Sequence, residues 1–440
     1  MKRFTIALLL IATAVFGAGI VQAQDTMNRI DIVRPDAPEL ATEGEYNIGV
    51  QTLELVNPEG YDIVNAVEGE PIEQYDRPLT MEVWYPADVA DDAEPTPYNV
   101  LTRDTEIEAT LIGRAVRDAA PLMDDGPYPL VIISHGYPGN RFLMSHLGEN
   151  LATKGYVTVS VDHTDSTYSD QAAFGSTLVN RPLDQLFVLE QMSQLGATDS
   201  DSFLAGLVDA DNTAIIGYSM GGYGALNAIG GGFTEESIGL SFAPPNEGLR
   251  VRQAGNEMYE DTFDERIQAV VAIGPWGMNT GFWNDETLAG IEDVPILFMA
   301  GGVDDVSGYE EGVRAIWEGV ANTDRHLLTF ENANHNAAAP MRAPREVLEA
   351  GSGYDHYSDA VWDNTRMNNI AQHFATAFLG VHLQGDEELQ DYLTVEVESA
   401  AEGVYAVDDD GNFTEEHTYW PGFPNRTAVG LTLEFAGAGE

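Results

Sequence analysis

Two spacings of apolar residues alternate along this chain. Short hydrophobic runs at 130–134, 157–161, 213–217, 269–273, 295–300 and 326–330 read as strands buried on both faces. Between them, 141–154, 182–195, 220–229 and 309–320 carry helical spacing, and 364–379 closes the series with a long amphipathic pattern. Strands near 46–56 and 79–85 precede the series. A Pro- and Asp-rich segment, 86–129, separates them from it and holds a helical stretch over 108–119. Buried strands separated by helices predict an α/β chain with a mostly parallel central sheet and helices on both faces. No repeat of 20–50 residues is visible, which argues against a solenoid or propeller.

The rhythm breaks after Gly385, where a C-terminal β extension is expected. Asp408-Asp409-Asp410-Gly411-Asn412 invites a calcium-loop reading, but Ala406 holds the position of the first acidic ligand. A hairpin turn after 403–407 fits better, with a final strand over 428–435. At the other end Lys2 and Arg3 precede an apolar run over 6–16, and Val21-Gln22-Ala23 forms a small-x-small site. Gly17 and Gly19 interrupt the run and no basic stop-transfer cluster follows, so it reads as a secretory leader cleaved near Ala23 and not as an anchor. The expected organisation is a leader at 1–23, an extension with the first strand at 24–76, a catalytic domain at 77–383 and a β-rich extension packed on it at 384–440. An exported protein, periplasmic or extracellular, follows.

Charge narrows the partners. Of 440 residues, 72 are acidic and 20 basic, a net charge of −52, and only Lys2 and Lys154 are lysine. Such a surface repels phosphate backbones and anionic headgroups, so neither nucleic acid nor stable membrane insertion is expected. Carboxylates without ammonium groups keep a protein soluble where salt screens their repulsion, which points to a saline habitat. With no cysteine, disulfides and thiol chemistry are excluded. Oligomeric state is not readable.

Chemistry sits where the predicted strands end. Gly217-Tyr218-Ser219-Met220-Gly221-Gly222 follows one strand and opens a helix, the pattern of a nucleophile on a sharp strand-to-helix turn. A serine hydroxyl needs a base, and the base an acid. Asp304 and Asp305 follow the strand at 295–300, with Asp304, the nearer, preferred as acid. His335 follows the strand at 326–330 and is the expected base; His356, in a polar loop, is its rival. Carboxyl ends of parallel strands converge on one crevice, where such a set belongs. Ser134-His135-Gly136-Tyr137-Pro138-Gly139 follows the strand at 130–134, where a second oxyanion donor lies. The expected donors are the amides of Tyr137 and Met220. His135 and His163 read as loop braces. No metal-binding spacing is present, and no cofactor is expected.

Further stretches carry a family resemblance: Ile132-Ile133-Ser134-His135-Gly136, Leu151 to Val157, Asp162-His163, and Arg77-Pro78-Leu79 to Trp84-Tyr85-Pro86. They resemble the platelet-activating-factor acetylhydrolase branch of the α/β-hydrolases and its dienelactone-hydrolase-like relatives. The Ser219 motif and Gly274-Pro275-Trp276 also resemble bacterial cutinase-type polyester hydrolases. The resemblance, over about 77–379, implies the α/β-hydrolase fold, Ser219 as nucleophile, Asp304 as acid, His335 as base, and Tyr137 and Met220 as oxyanion donors. It puts Trp276 and Gly136 at the substrate pocket, although Trp276 reads equally well as core packing. The expected activity is hydrolysis of carboxylic esters, small or polymeric, through an acyl-enzyme, with a polyester or the acetyl ester of a phospholipid as the alternative substrates. A serine peptidase and a silent hydrolase-like binding module are the competing readings. Insertions at 86–129, 230–266 and 341–356 are placed to cover the site.

Overall fold

The computed structural model describes residues 28–90 and 92–440; the leader expected at 1–23 lies outside them. Two long antiparallel strands open the chain, β1 (Ile48–Tyr61) and β2 (Gln74–Asp88). Short strands follow: β3 (Tyr98–Leu101), β4 (Glu108–Leu111), β5 (Val116–Arg117) and β6 (Ala120–Pro121). Then come β7 (Tyr128–Ser134), β8 (Val157–Asp162), β9 (Val208–Tyr218), β10 (Ile267–Ile273), β11 (Ile296–Gly301), β12 (Arg325–Phe330) and, in the tail, β13 (Leu431–Ala436).

The main sheet runs β13-β12-β11-β10-β9-β7-β8-β2-β1-β5. Pairs from β8 to β12 are parallel, while β2 and β13 join antiparallel at either side. Alternate residues of each strand enter different cores. Val131, Ile133, Ile216 and Leu297 face α1 (Ser145–Ala152), a core shared with a long helix at Asn364–Leu379. Leu130, Ile132, Ile215 and Phe298 face α2 (Phe174–Gly196) and α3 (Met220–Ala228). Both faces are therefore covered, and the central strands are predominantly apolar on both. Register aligns the carboxyl ends: Ser134 sits opposite Gly217, Tyr218 opposite Ile273, and Gly301 opposite Phe330. The loops after β7, β9, β11 and β12 leave one edge of the sheet together.

Three sequence expectations change. The stretch 108–119 is not a helix: Ala109 and Leu111 point inward and Glu108 and Thr110 outward, the two-residue period of β4 against β3. Gly113 then lies so close to the Glu149 carboxylate that a Cβ there would fall 2.1 Å from it. The helix expected from Pro182 begins at Phe174, with Pro182 inside it. The helix expected from Arg141 begins only at Ser145, the residues before it forming tighter turns in which Leu143 N donates to Asn140 O and Ser145 N to Phe142 O (both 3.1 Å). In the tail, an isolated bridge between Val407 and Phe413 closes the turn expected there, with Asp408 accepting from the amides of Asp410 and Asn412.

Candidate active site

Ser219 joins β9 to α3 with φ 52° and ψ −111°, a conformation a non-glycine residue rarely adopts. Strain of this kind costs on the order of 1–3 kcal/mol and persists only where neighbours over-determine it. Here the Ser219 amide donates to Ile273 O (2.9 Å), and its carbonyl accepts from Tyr223 N (3.0 Å) and Trp276 N (3.3 Å). The flanking glycines are sterically required. A Cβ on Gly221 would sit 2.0 Å from Ser134 O, and one on Gly217 2.4 Å from the Gly221 backbone.

Across the sheet edge, His335 Nδ1 lies 2.8 Å from Asp304 Oδ2. The other carboxylate oxygen, Oδ1, accepts from the amides of Val306 (2.9 Å) and Ser307 (2.8 Å), so the turn after β11 clamps the acid in place. Burial opposes ionisation of Asp304, but the His335 hydrogen bond and the two amides outweigh it and hold the carboxyl below its ordinary range. Asp305, one residue on, is exposed and makes no such contact. The His335 ring lies tilted on Tyr218, centroids 5.1 Å apart. The backbone of Gly274 passes so close that a Cβ there would touch both Asp304 Oδ2 and the His335 ring at 3.4 Å. Ser219 and His335 line one cavity of about 390 Å³. Among the described residues Ser219 Oγ has no hydrogen-bond partner, the open geometry common in an unliganded site.

The loop after β7 brings Tyr137 to the same cavity and packs Gly136 behind it. A Cβ on Gly136 would lie 3.1 Å from the Tyr218 ring and 3.2 Å from Ser219 Cβ, so its bareness lets the loop close on the nucleophile. Among the described residues the amides of Tyr137 and Met220 donate to no protein acceptor, as oxyanion donors require. Arg181 anchors this loop from α2 through His135 O and Ser166 Oγ, and Gln185 Nε2 donates to Gly221 O (2.9 Å). His135 and His163 are wholly buried. His163 bridges Ser134 Oγ and Asp184 Oδ2, both 2.9 Å, and Arg77 completes the network on Asp184 and Asp165. This second Ser-His-Asp chain is sealed from solvent and braces β2, β7 and α2.

Trp276 is half-buried in an aromatic cluster with Phe174 (5.6 Å), Phe282 (5.5 Å) and Phe242 (6.4 Å), the last of them exposed. It is not among the residues bounding the Ser219 cavity. His356 does bound it, but its Nε2 faces the Tyr168 hydroxyl (2.8 Å), and burial pushes it down to about 4. Arg103, from the 86–129 insertion, and Asp355 and His356, after the short helix at Arg345–Ala350, complete the wall. The strand-end pattern named His356 only as a rival base and missed Arg103 and Asp355, because insertions deliver them. It also missed Asn336, which accepts from Tyr218 OH (3.2 Å) and donates to Asp355 O (2.7 Å); its place beside His335 was the available signal. Among the described residues no group of three or more His, Cys, Asp or Glu is arranged to hold a metal ion, and no helix is long and apolar enough to cross a membrane.

Comparison with known proteins agrees with this architecture. A family model described as PETase, PET hydrolase-like, matches residues 120–235, which include the Tyr137 loop and the Ser219 turn. Cutinase est1 of Thermobifida alba is 24% identical over 215 residues, 49% of this chain and 55% of that protein. Cutinase 2 of Thermobifida cellulosilytica is 30% identical over 103 residues, 23% of this chain and 35% of that protein. A bis(hydroxyethyl) terephthalate hydrolase of Streptomyces coelicolor is 21% identical over 212 residues, 48% and 51% of the two chains. The chain thus spans about half the length of the curated relatives it matches. Among solved structures, a ferulic acid esterase from Streptomyces cinnamoneus superposes with TM-score 0.54 at 20% identity, covering 82% of this chain and 94% of that one. The fold is that of an α/β-hydrolase, and the resemblance to the PET hydrolase- and cutinase-like members is the part these matches carry.

Proposed function

We propose that this protein is an exported serine hydrolase that cleaves carboxylic esters by two-step acyl transfer. The observation that carries the reading is that His335, hydrogen-bonded to Asp304 behind it, lines the same cavity as Ser219 at its strained turn. In this mechanism His335 takes the Ser219 proton as the oxygen attacks the ester carbonyl. Asp304 fixes the ring with Nδ1–H toward itself and Nε2 toward the serine, and stabilises the imidazolium. The tetrahedral oxyanion lies between the amides of Tyr137 and Met220. Collapse returns the proton to the leaving alcohol, and water then releases the acid from the acyl-enzyme by the same route. Ester and water give acid and alcohol, with no change of oxidation state.

Further support comes from the similarity to cutinases and a terephthalate-ester hydrolase. The walls supplied by Arg103, Asp355 and His356 favour small esters over a polymer chain. A direct test is turnover of 4-nitrophenyl butyrate. Ser219→Ala is expected to lose at least about 10³-fold in kcat/KM while keeping the circular dichroism of the parent. Activity within tenfold of the parent would overturn the reading.

A further inference from the structure

In a chain of net charge −52, an arginine whose side chain makes neither an ion pair nor a hydrogen bond stands out. Arg77, Arg117, Arg141, Arg266 and Arg314 all sit in ion pairs. Others, such as Arg181 and Arg325, spend their guanidinium on oxygens of neutral groups. Among the described residues the side chains of Arg103, Arg342 and Arg426 make neither an ion pair nor a hydrogen bond, and of these Arg103 lines the cavity of Ser219 and His335.

Its neighbours hold it there without using its charge. The Arg103 amide donates to Tyr357 OH (2.9 Å), fixing the backbone, and Gly353 packs so closely that a Cβ there would lie 3.3 Å from Arg103 Cβ. The charge acts on groups of this wall: Arg103 is among the influences lowering the pKa of His356 and opposing the burial-driven rise of Tyr137. Two exposed carboxylates, Asp305 and Asp355, bound the same cavity without pairing to Arg103. They make the remaining wall hostile to an anion. A negatively charged ligand group therefore has one place to go.

We propose that Arg103 is a specificity-determining residue that binds a carboxylate on the substrate, so that the preferred substrates are hemiesters of dicarboxylic acids. This rests on the ester-hydrolase reading above. A planar guanidinium suits a carboxylate, to which it donates two parallel hydrogen bonds. A cavity of about 390 Å³ is also within the ~300–1,000 Å³ of small-ligand sites. Arg103 takes no part in bond making: it would seat the free carboxylate while the esterified carbonyl meets Ser219.

The test compares two chromogenic esters of equal length, 4-nitrophenyl 4-carboxybenzoate and its neutral 4-carbamoyl analogue, in which the ring keeps the free carboxylate away from the ester. It uses the mature enzyme and its Arg103→Gln, Arg103→Lys and Arg103→Glu variants. The parent is expected to favour the anionic ester in kcat/KM. The ratio of anionic to neutral kcat/KM should fall about 10- to 100-fold in Arg103→Gln, further in Arg103→Glu, and be partly kept in Arg103→Lys, with the change carried by KM. A purely structural role would lower both esters together and leave the ratio fixed. An unchanged ratio, or no preference in the parent, overturns the proposal while ester hydrolysis stands. Failure of the parent on both esters overturns the hydrolase reading and this proposal with it.

Discussion

Ser134 heads a hydrogen-bonded Ser-His-Asp chain, whereas at Ser219, the proposed nucleophile, only the His335–Asp304 bond is made. Ser134 Oγ, His163 and Asp184 are joined by two hydrogen bonds of 2.9 Å, yet all three residues are sealed from solvent. Burial opposes ionisation of Asp184, and Arg77 and His163 overcome it, so the carboxylate is held below its ordinary range as a brace. Single residues also set the response to acid. His146 is buried on α1 with neither ring nitrogen hydrogen-bonded among the described residues, and burial pushes it down to about 3. Its unfolded value is near 6.5, so between these values the unfolded chain binds a proton that the folded one does not. Stability is therefore lost as pH falls from 6.5 toward 3. His146→Leu should remove this share: in urea titrations at pH 7 and pH 5, the stability difference between variant and parent should grow in favour of the variant. The slope is about 1.4 kcal/mol per pH unit below 6.5. A difference independent of pH would show that His146 does not titrate on unfolding.

At the scale of elements, the sequence disclosed what periodicity and motif grammar encode. The runs at 130–134, 157–161, 213–217, 269–273, 295–300 and 326–330 lie within β7 to β12 or begin one residue early, because strands covered on both faces are predominantly apolar. The turn at Ser219 was legible for a steric reason, since its neighbours Gly217 and Gly221 stand where any side chain would strike backbone. What failed was ruled by tertiary contacts. Pro182 looked like a first helical residue, but the eight residues before it are drawn into α2, where Ser176 and Asn180 are hydrogen-bonded in the core. The segment 108–119 has apolar residues that satisfy either period, and only pairing with β3 decides for β4. Arg103 and Asp355 were not legible as site residues, because nothing local says where an insertion returns to the sheet edge, whereas Asn336 could have been read from its place beside His335.

Across the whole molecule, negative charge prevails. Lys154 is the sole lysine among the described residues, and it is no surface cation: its Nζ donates to Leu40 O, Asn150 Oδ1 and Thr376 Oγ1 at 2.6–2.7 Å. The carboxylate excess is thus met only by arginines. Repulsion of this kind is screened over about 10 Å at 0.1 M salt and 3 Å at 1 M. The thermal midpoint is expected to rise by roughly 5 °C or more between these concentrations of sodium chloride. A flat profile would remove the case for a saline habitat. The catalytic proposal reduces to a simpler statement: among the described residues, Ser219 at the cavity is the serine that His335 makes nucleophilic. A fluorophosphonate probe with peptide mapping by mass spectrometry measures this in a single experiment, on the parent and on His335→Gln. One labelled residue, Ser219, is expected, with labelling slowed at least about 10²-fold in the variant. Label on any other serine, or equal rates in both proteins, would refute it.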